Sequence, residues 1–117
     1  MSGRGARVPA PATGQQWDLR FGNKKAASNW EKLCNVAAGN CATMHARLTA
    51  DPRHAVNHNR HHRLGGELGT GKHAGQDLEQ WQYEITGAGR VWFLIDDENK
   101  RVILSLVEQG HPSKTDK

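Results

Sequence analysis

Hydrophobic residues in this chain follow two periods. Trp17, Leu19 and Phe21 alternate with Asp18 and Arg20, the pattern of a half-buried strand. Gly22-Asn23 interrupts it. Trp30, Leu33, Cys34 and Ala37 then fall at i, i+3, i+4 and i+7, which predicts a helix from about Lys24 to Ala38 with Gly39 suited to cap its end. Cys41, Met44, His45 and Leu48 repeat that spacing and predict a second helix, stopped by Asp51-Pro52. The very short link between the two implies an antiparallel pair.

Period two returns near the C-terminus. Trp81, Tyr83 and Ile85 alternate with Gln80, Gln82 and Glu84. Gly87-Ala88-Gly89 reads as a turn, Val91 to Ile95 as a central strand, Asp96 to Lys100 as a hairpin loop, and Val102 to Val107 as a last strand. The order is β-α-α-β-β-β. It predicts an α+β domain, with a helical hairpin packed on one face of an antiparallel sheet.

Two stretches lack either period. Met1 to Gln16 is rich in Gly, Arg and Pro and is expected to be a flexible tail, leaving residues 17–117 as the domain. Arg53 to Gln76 holds five of the seven histidines, five glycines and few apolar residues. It reads as an extended basic loop with a short strand near Arg63-Leu64.

Composition narrows the function classes. At 117 residues there is room for one compact domain. Lys and Arg exceed Asp and Glu by 16 to 12, which favours a polyanionic or acidic partner. No apolar run is long enough for a transmembrane helix. Cys34 and Cys41 fit neither a disulfide framework nor a zinc motif, so they are read as reduced thiols and the protein as cytoplasmic.

Several constellations could carry chemistry. Gly66-Glu67-Leu68-Gly69-Thr70-Gly71-Lys72-His73 has P-loop spacing through the lysine, but His73 stands where a magnesium-binding hydroxyl belongs and no buried strand precedes it. His54, His58, His61 and His62 have spacings that could share a metal on a helix, yet Pro52, Asn57 and Asn59 disfavour one there and no carboxylate or thiol completes the set. No metal or other cofactor is expected. A solvated basic loop touching phosphates is the simpler reading. Arg90 heads the most apolar strand. It either pairs with Asp96 or Glu84 or holds a guanidinium rigidly toward a phosphate. His111, between Gly110 and Pro112, is either frayed or an acid/base group. Trp30 and Trp81 read as core, while Trp92 lies opposite Val91 and Phe93 and stays open as a base-stacking residue.

Taken together, the helix pair, Arg63-Leu64-Gly65-Gly66-Glu67-Leu68, Trp81-Gln82-Tyr83-Glu84-Ile85, Gly89-Arg90-Val91-Trp92-Phe93-Leu94-Ile95-Asp96 and a final strand leading to His111 resemble the RelE/ParE toxin superfamily. The resemblance runs from about Trp17 to Lys114. It implies a small toxin neutralised by an acidic antitoxin in a hetero-oligomer, and either a ribosome-dependent messenger-RNA endonuclease or a ParE-like gyrase inhibitor without chemistry of its own. A third reading is a catalytically silent binding domain for RNA or antitoxin. In the nuclease branch the resemblance makes Arg90 the arginine on the scissile phosphate, His111 the C-terminal histidine and His62 the residue at the general-base position. Arg60, Arg63, Lys72 and Lys114 would face RNA. Three positions depart from the family pattern: Gly65 replaces its lysine, Thr86 a strand-ending arginine and Pro112 the aromatic beside the terminal histidine.

Cleavage of RNA by its own 2′-hydroxyl needs a base, cations on the pentavalent phosphate and an acid for the 5′-oxygen. The expected assignment is His62 as base, Arg90 with Arg63 as phosphate clamp, and His111 as acid or orienter. The two histidine roles are interchangeable at this level.

Overall fold

A computed structural model describes residues 16–110. Its elements are β1 (Asp18–Phe21), α1 (Lys24–Val36), α2 (Ala38–Ala50), β2 (His61–Arg63), a 3-10 turn (Gly66–Gly69), β3 (Thr70–His73), β4 (Gln76–Glu84), β5 (Arg90–Asp96) and β6 (Arg101–Glu108). The fold is α+β, as the periodicities imply. Most of the expected 1–16 tail lies outside the described residues, as do His111 and Lys114.

Asn23 starts α1. Its side-chain oxygen accepts from the Ala26 amide at 2.8 Å, and its Nδ2 donates to the Ser105 carbonyl at 3.1 Å, so one residue caps the helix and ties it to β6. Ala37 ends α1 and immediately precedes α2, and its amide donates back to Leu33 O at 2.8 Å. The cap expected of Gly39 is therefore made by Ala37, and Gly39 lies inside the first turn of α2.

The strands form a sheet in the order β1-β6-β5-β4-β2, with β3 also paired to β4. All ladders are antiparallel except β1 with β6, which is parallel. An all-antiparallel sheet was expected, and one edge departs from it. No hairpin joins β1 to β6, so no tight turn forces them to oppose. The expected long loop is also shorter than its composition implied. Within 53–76 the chain makes β2, the 3-10 turn and β3, and β4 begins at Gln76. The P-loop-like segment is thus a turn followed by a strand, and no phosphate cradle opens a helix there. A Cβ on Gly69 would strike the Leu64 carbonyl oxygen, so that glycine serves close packing.

Leu33, Met44 and Leu48 from the helices pack on Val91, Phe93, Ile95, Val102, Leu104 and Val107 of the sheet. Trp30 and Trp81 rest half-buried against this core, as does Trp17. Phe21 breaks the alternation expected of β1, for it is 47% exposed. A bulge interrupts β5 and β6: Trp92 pairs with Leu106 and Phe93 with Leu104, leaving Ser105 as the extra residue. Its hydroxyl donates to Gln80 Oε1 at 2.8 Å.

Candidate functional site

Residues directly opposite on neighbouring strands share a face, and adjacent residues along one strand do not. The core takes Tyr83, Val91 and Val107 on the helix side. Their neighbours therefore populate the other face. There His62, Gln82, Trp92 and Leu106 stand in register across β2, β4, β5 and β6. Beside them runs a row of Glu84, Arg90 and Glu108, continued by Arg60, whose carbonyl accepts from the Glu84 amide at 2.7 Å. The charges along that row alternate.

Arg90 is held on several sides. Its Nε lies 2.9 Å from Glu108 Oε1, with the side chains 43% and 46% exposed. That Nε has no aligned hydrogen-bond partner, so the contact is chiefly Coulombic. The guanidinium carbon lies 5.9 Å from the centre of the Trp92 ring. Trp92 is fixed in turn, since its Nε1 donates to Gln82 Oε1 at 2.9 Å. The partner is Glu108. Asp96 is buried at the far end of β5 and accepts from Asn99, while Glu84 stands opposite Arg90 in register. Arg90 also opens into a cleft with Lys25, Glu108 and Gly110. Sequence reading missed Lys25. Its place beside the Asn23 cap, where α1 enters against the sheet, was the available signal.

His62 Nδ1 lies 3.0 Å from the carbonyl of His58. A carbonyl can only accept, so Nδ1 carries a proton, and in the neutral ring Nε2 holds the lone pair. Two strand spacings of about 4.8 Å separate β2 from β5, and Arg90 lies two residues along β5 from Trp92, the residue in register with His62.

Other expected partners face elsewhere. Arg63 follows His62 directly and sits opposite Trp81, on the helix side of the sheet. Its Nε donates to Gly69 O at 2.9 Å and its Nη1 lies 3.8 Å from Glu79. Lys72 shares that side and pairs with Asp77 at 2.8 Å. The structure does not bring Arg63 or Lys72 to Arg90. Arg60 is exposed at the entry to β2. His111 follows Gly110, which is in the Arg90 cleft, but its own position lies outside the described residues.

The histidine-rich stretch divides sharply. His54 and His58 are exposed, whereas His61 is 2% exposed among the rings of Trp81, Tyr83 and Phe93. Among the described residues, no three His, Cys, Asp or Glu groups converge as metal ligands. Nearby, Arg53 clamps Asp97 with two bonds of 2.8 Å and reaches Glu79 at 3.1 Å. The Arg53 contact holds the Asp97 carboxyl below its ordinary range. Glu79 is lowered first by the Trp81 indole N–H and then by Arg53. Burial and the neighbouring Cys34 push the Cys41 thiol up to about 12, leaving it a poor nucleophile.

Burial lowers the His61 pKa from 6.5, with the Arg47 and His62 charges adding to the effect and the Pro52 carbonyl opposing it. The folded state thus favours neutral His61. Its contribution is fully present above the unfolded value and is lost as pH falls below about 6.5. Glu79 and Asp97, also lowered, lose theirs only in the more acidic carboxylate range. Urea unfolding at pH 7.5 and 5.0 should therefore show a weaker fold at pH 5.0, and His61→Phe should flatten that difference. An equal slope in the variant would refute the assignment.

No protein-family model matches this chain, and no curated protein does. Among solved structures it is similar to a chain of the toxin–antitoxin complex RelBE2 from Mycobacterium tuberculosis. The TM-score is 0.54 at 21% identity, over 80% of this chain and 96% of that one. The fold is RelE-like. Within it, the helical pair covers one side of the sheet, and the row of His62, Gln82 and Trp92 lies on the other. No helix of the described residues is long and apolar enough to cross a membrane.

Proposed function

We propose that this RelE-like chain is the toxin of a type II toxin–antitoxin pair and cuts messenger RNA on the ribosome by metal-independent acid/base chemistry. The observation that carries this reading is the shared face of Arg90 and His62. A guanidinium steadied by Glu108 and Trp92 stands two strands from an imidazole oriented through its Nδ1 by the His58 carbonyl. His62 takes the 2′-hydroxyl proton, Arg90 neutralises the pentavalent phosphate, and His111 supplies or orients the proton for the 5′-oxygen. Exchange of the two histidine roles fits equally. Arg60 and Lys114 are assigned to RNA contacts, with Lys25 beside Arg90. Arg63 and Lys72 are left out because they face away and are paired. An acidic antitoxin would neutralise the basic chain.

A ParE-like gyrase inhibitor is the second reading. It is favoured by Gly65 at the family's lysine position and by the two glutamates flanking Arg90. Induced expression in a bacterial host separates the two. Wild type should arrest growth and leave new message 5′-ends within translated codons, and a His62→Ala/His111→Ala chain should leave none. Arrest with DNA damage and intact messages would replace the nuclease with the gyrase reading.

A further inference from the structure

A second polar cavity lies away from the Arg90 cleft, where α2 passes the end of β4 and the turn before β2. Its volume is about 190 Å³, and its lining includes Arg47, Arg60, His61, Tyr83 and Glu84. The polar stripe of α2 faces it. Asn40 Nδ2 donates to Ile85 O at 3.0 Å and pins the helix there. Arg47 Nη1 donates to the Tyr83 hydroxyl at 3.2 Å, so that hydroxyl's own proton is free to donate. His61 Nε2 lies 2.8 Å from the Pro52 carbonyl and must carry the proton. Its Nδ1 is therefore a bare acceptor, and it is buried without a partner. Such an orphaned acceptor calls for a ligand that donates.

The charges fit one kind of ligand. The lining holds two guanidiniums, Arg47 and Arg60, against one carboxylate, Glu84. We propose that this cavity is a binding site for a phosphomonoester group. Arg47, Arg60 and the Tyr83 hydroxyl hold its anionic oxygens, and a protonated phosphate oxygen donates to His61 Nδ1. Arginine forks suit tetrahedral oxyanions, and the monoanion of a phosphomonoester offers both acceptors and one donor. The site shares Arg60 with the proposed RNA contacts, but its geometry does not depend on the nuclease reading.

The test is titration of the full-length chain with inorganic phosphate, followed by the ring resonances of His61, assigned by loss in His61→Gln. A saturable shift is expected. Arg60→Gln should weaken it about tenfold, the loss of one charge-assisted bond. Arg60 is exposed, so this variant should fold normally, and it keeps the test valid if Arg47→Gln does not. A nucleoside 5′-monophosphate and its parent nucleoside form the next arm, with an oligoribonucleotide bearing or lacking a 5′-phosphate after it. Binding of small phosphates assigns the site to a free metabolite, and binding only of the phosphorylated oligonucleotide assigns it to an RNA end. No saturable shift with any of the phosphorylated probes, equal binding by the nucleoside or by the oligonucleotide lacking its 5′-phosphate, or unchanged affinity in Arg60→Gln would each overturn the proposal.

Discussion

If the chain is the proposed nuclease, Arg90→Ala is expected to reduce message cutting by two to three orders of magnitude and to relieve growth arrest, because it deletes the cation that the sheet register places between Glu84 and Glu108. The variant should remain folded. Its ion pair with Glu108 is about half exposed, and such pairs contribute about 1 kcal/mol or less. Loss of the cation leaves the two carboxylates facing an empty position, which adds repulsion toward any phosphate. Arg90→Lys keeps the charge and loses the fork, so intermediate cutting is expected. Mapping message 5′-ends after induction, alongside a thermal melt of the purified chain, reads both effects. Full arrest and cutting by Arg90→Ala would discard the assignment of the site.

Phe93→Ala should have the largest effect on stability. Phe93 is fully buried on the central strand, with ring centres 5.9 Å from His61 and 6.5 Å from Trp81. Truncation removes its transfer energy and leaves a cavity between sheet and helices, a loss of about 3–5 kcal/mol. Domains of this size have roughly 5–15 kcal/mol in total, so a large share of the stability would go. The urea midpoint should fall with an unchanged slope. Val36→Ala, at a residue 77% exposed on α1, should shift the midpoint little. Equal shifts in the two variants would mean that the core lies elsewhere.

The helices and the last three strands were legible because each buries one face, and burial writes a period into the sequence. Leu33, Met44 and Phe93 fall where that logic places them. The α1–α2 boundary was illegible for a physical reason. A single alanine closes one helix and opens the next, and neither proline nor a side-chain cap marks the spot. A short strand was expected near Arg63-Leu64, and β2 lies there, starting two residues earlier at His61; β3 escaped because it gains ladder hydrogen bonds at the edge of β4 without a fully buried residue. The site was half legible. Strand alternation alone separates His62 from Arg63, so that pair is already parted at the level of sequence. The pairings of Lys72 with Asp77 and Arg90 with Glu108 needed the register, which no local pattern specifies. His61 looked like one more basic loop residue beside His62, yet it is a core aromatic.

The parallel ladder of β1 and β6 has a consequence for synthesis. Asp18 to Phe21 meet Arg101 to Leu104, so the earliest strand of the domain waits for the latest. Helix α1 is tied to that same late strand through Asn23 to Ser105 and Asn29 to Val107. A nascent chain therefore has no ladder partner for β1 and lacks the two hydrogen bonds from α1 to β6 until nearly the whole domain has emerged. Premature termination anywhere before residue 101 would yield a fragment in which β1 is unpaired and α1 lacks its β6 partner, a substrate for proteolysis.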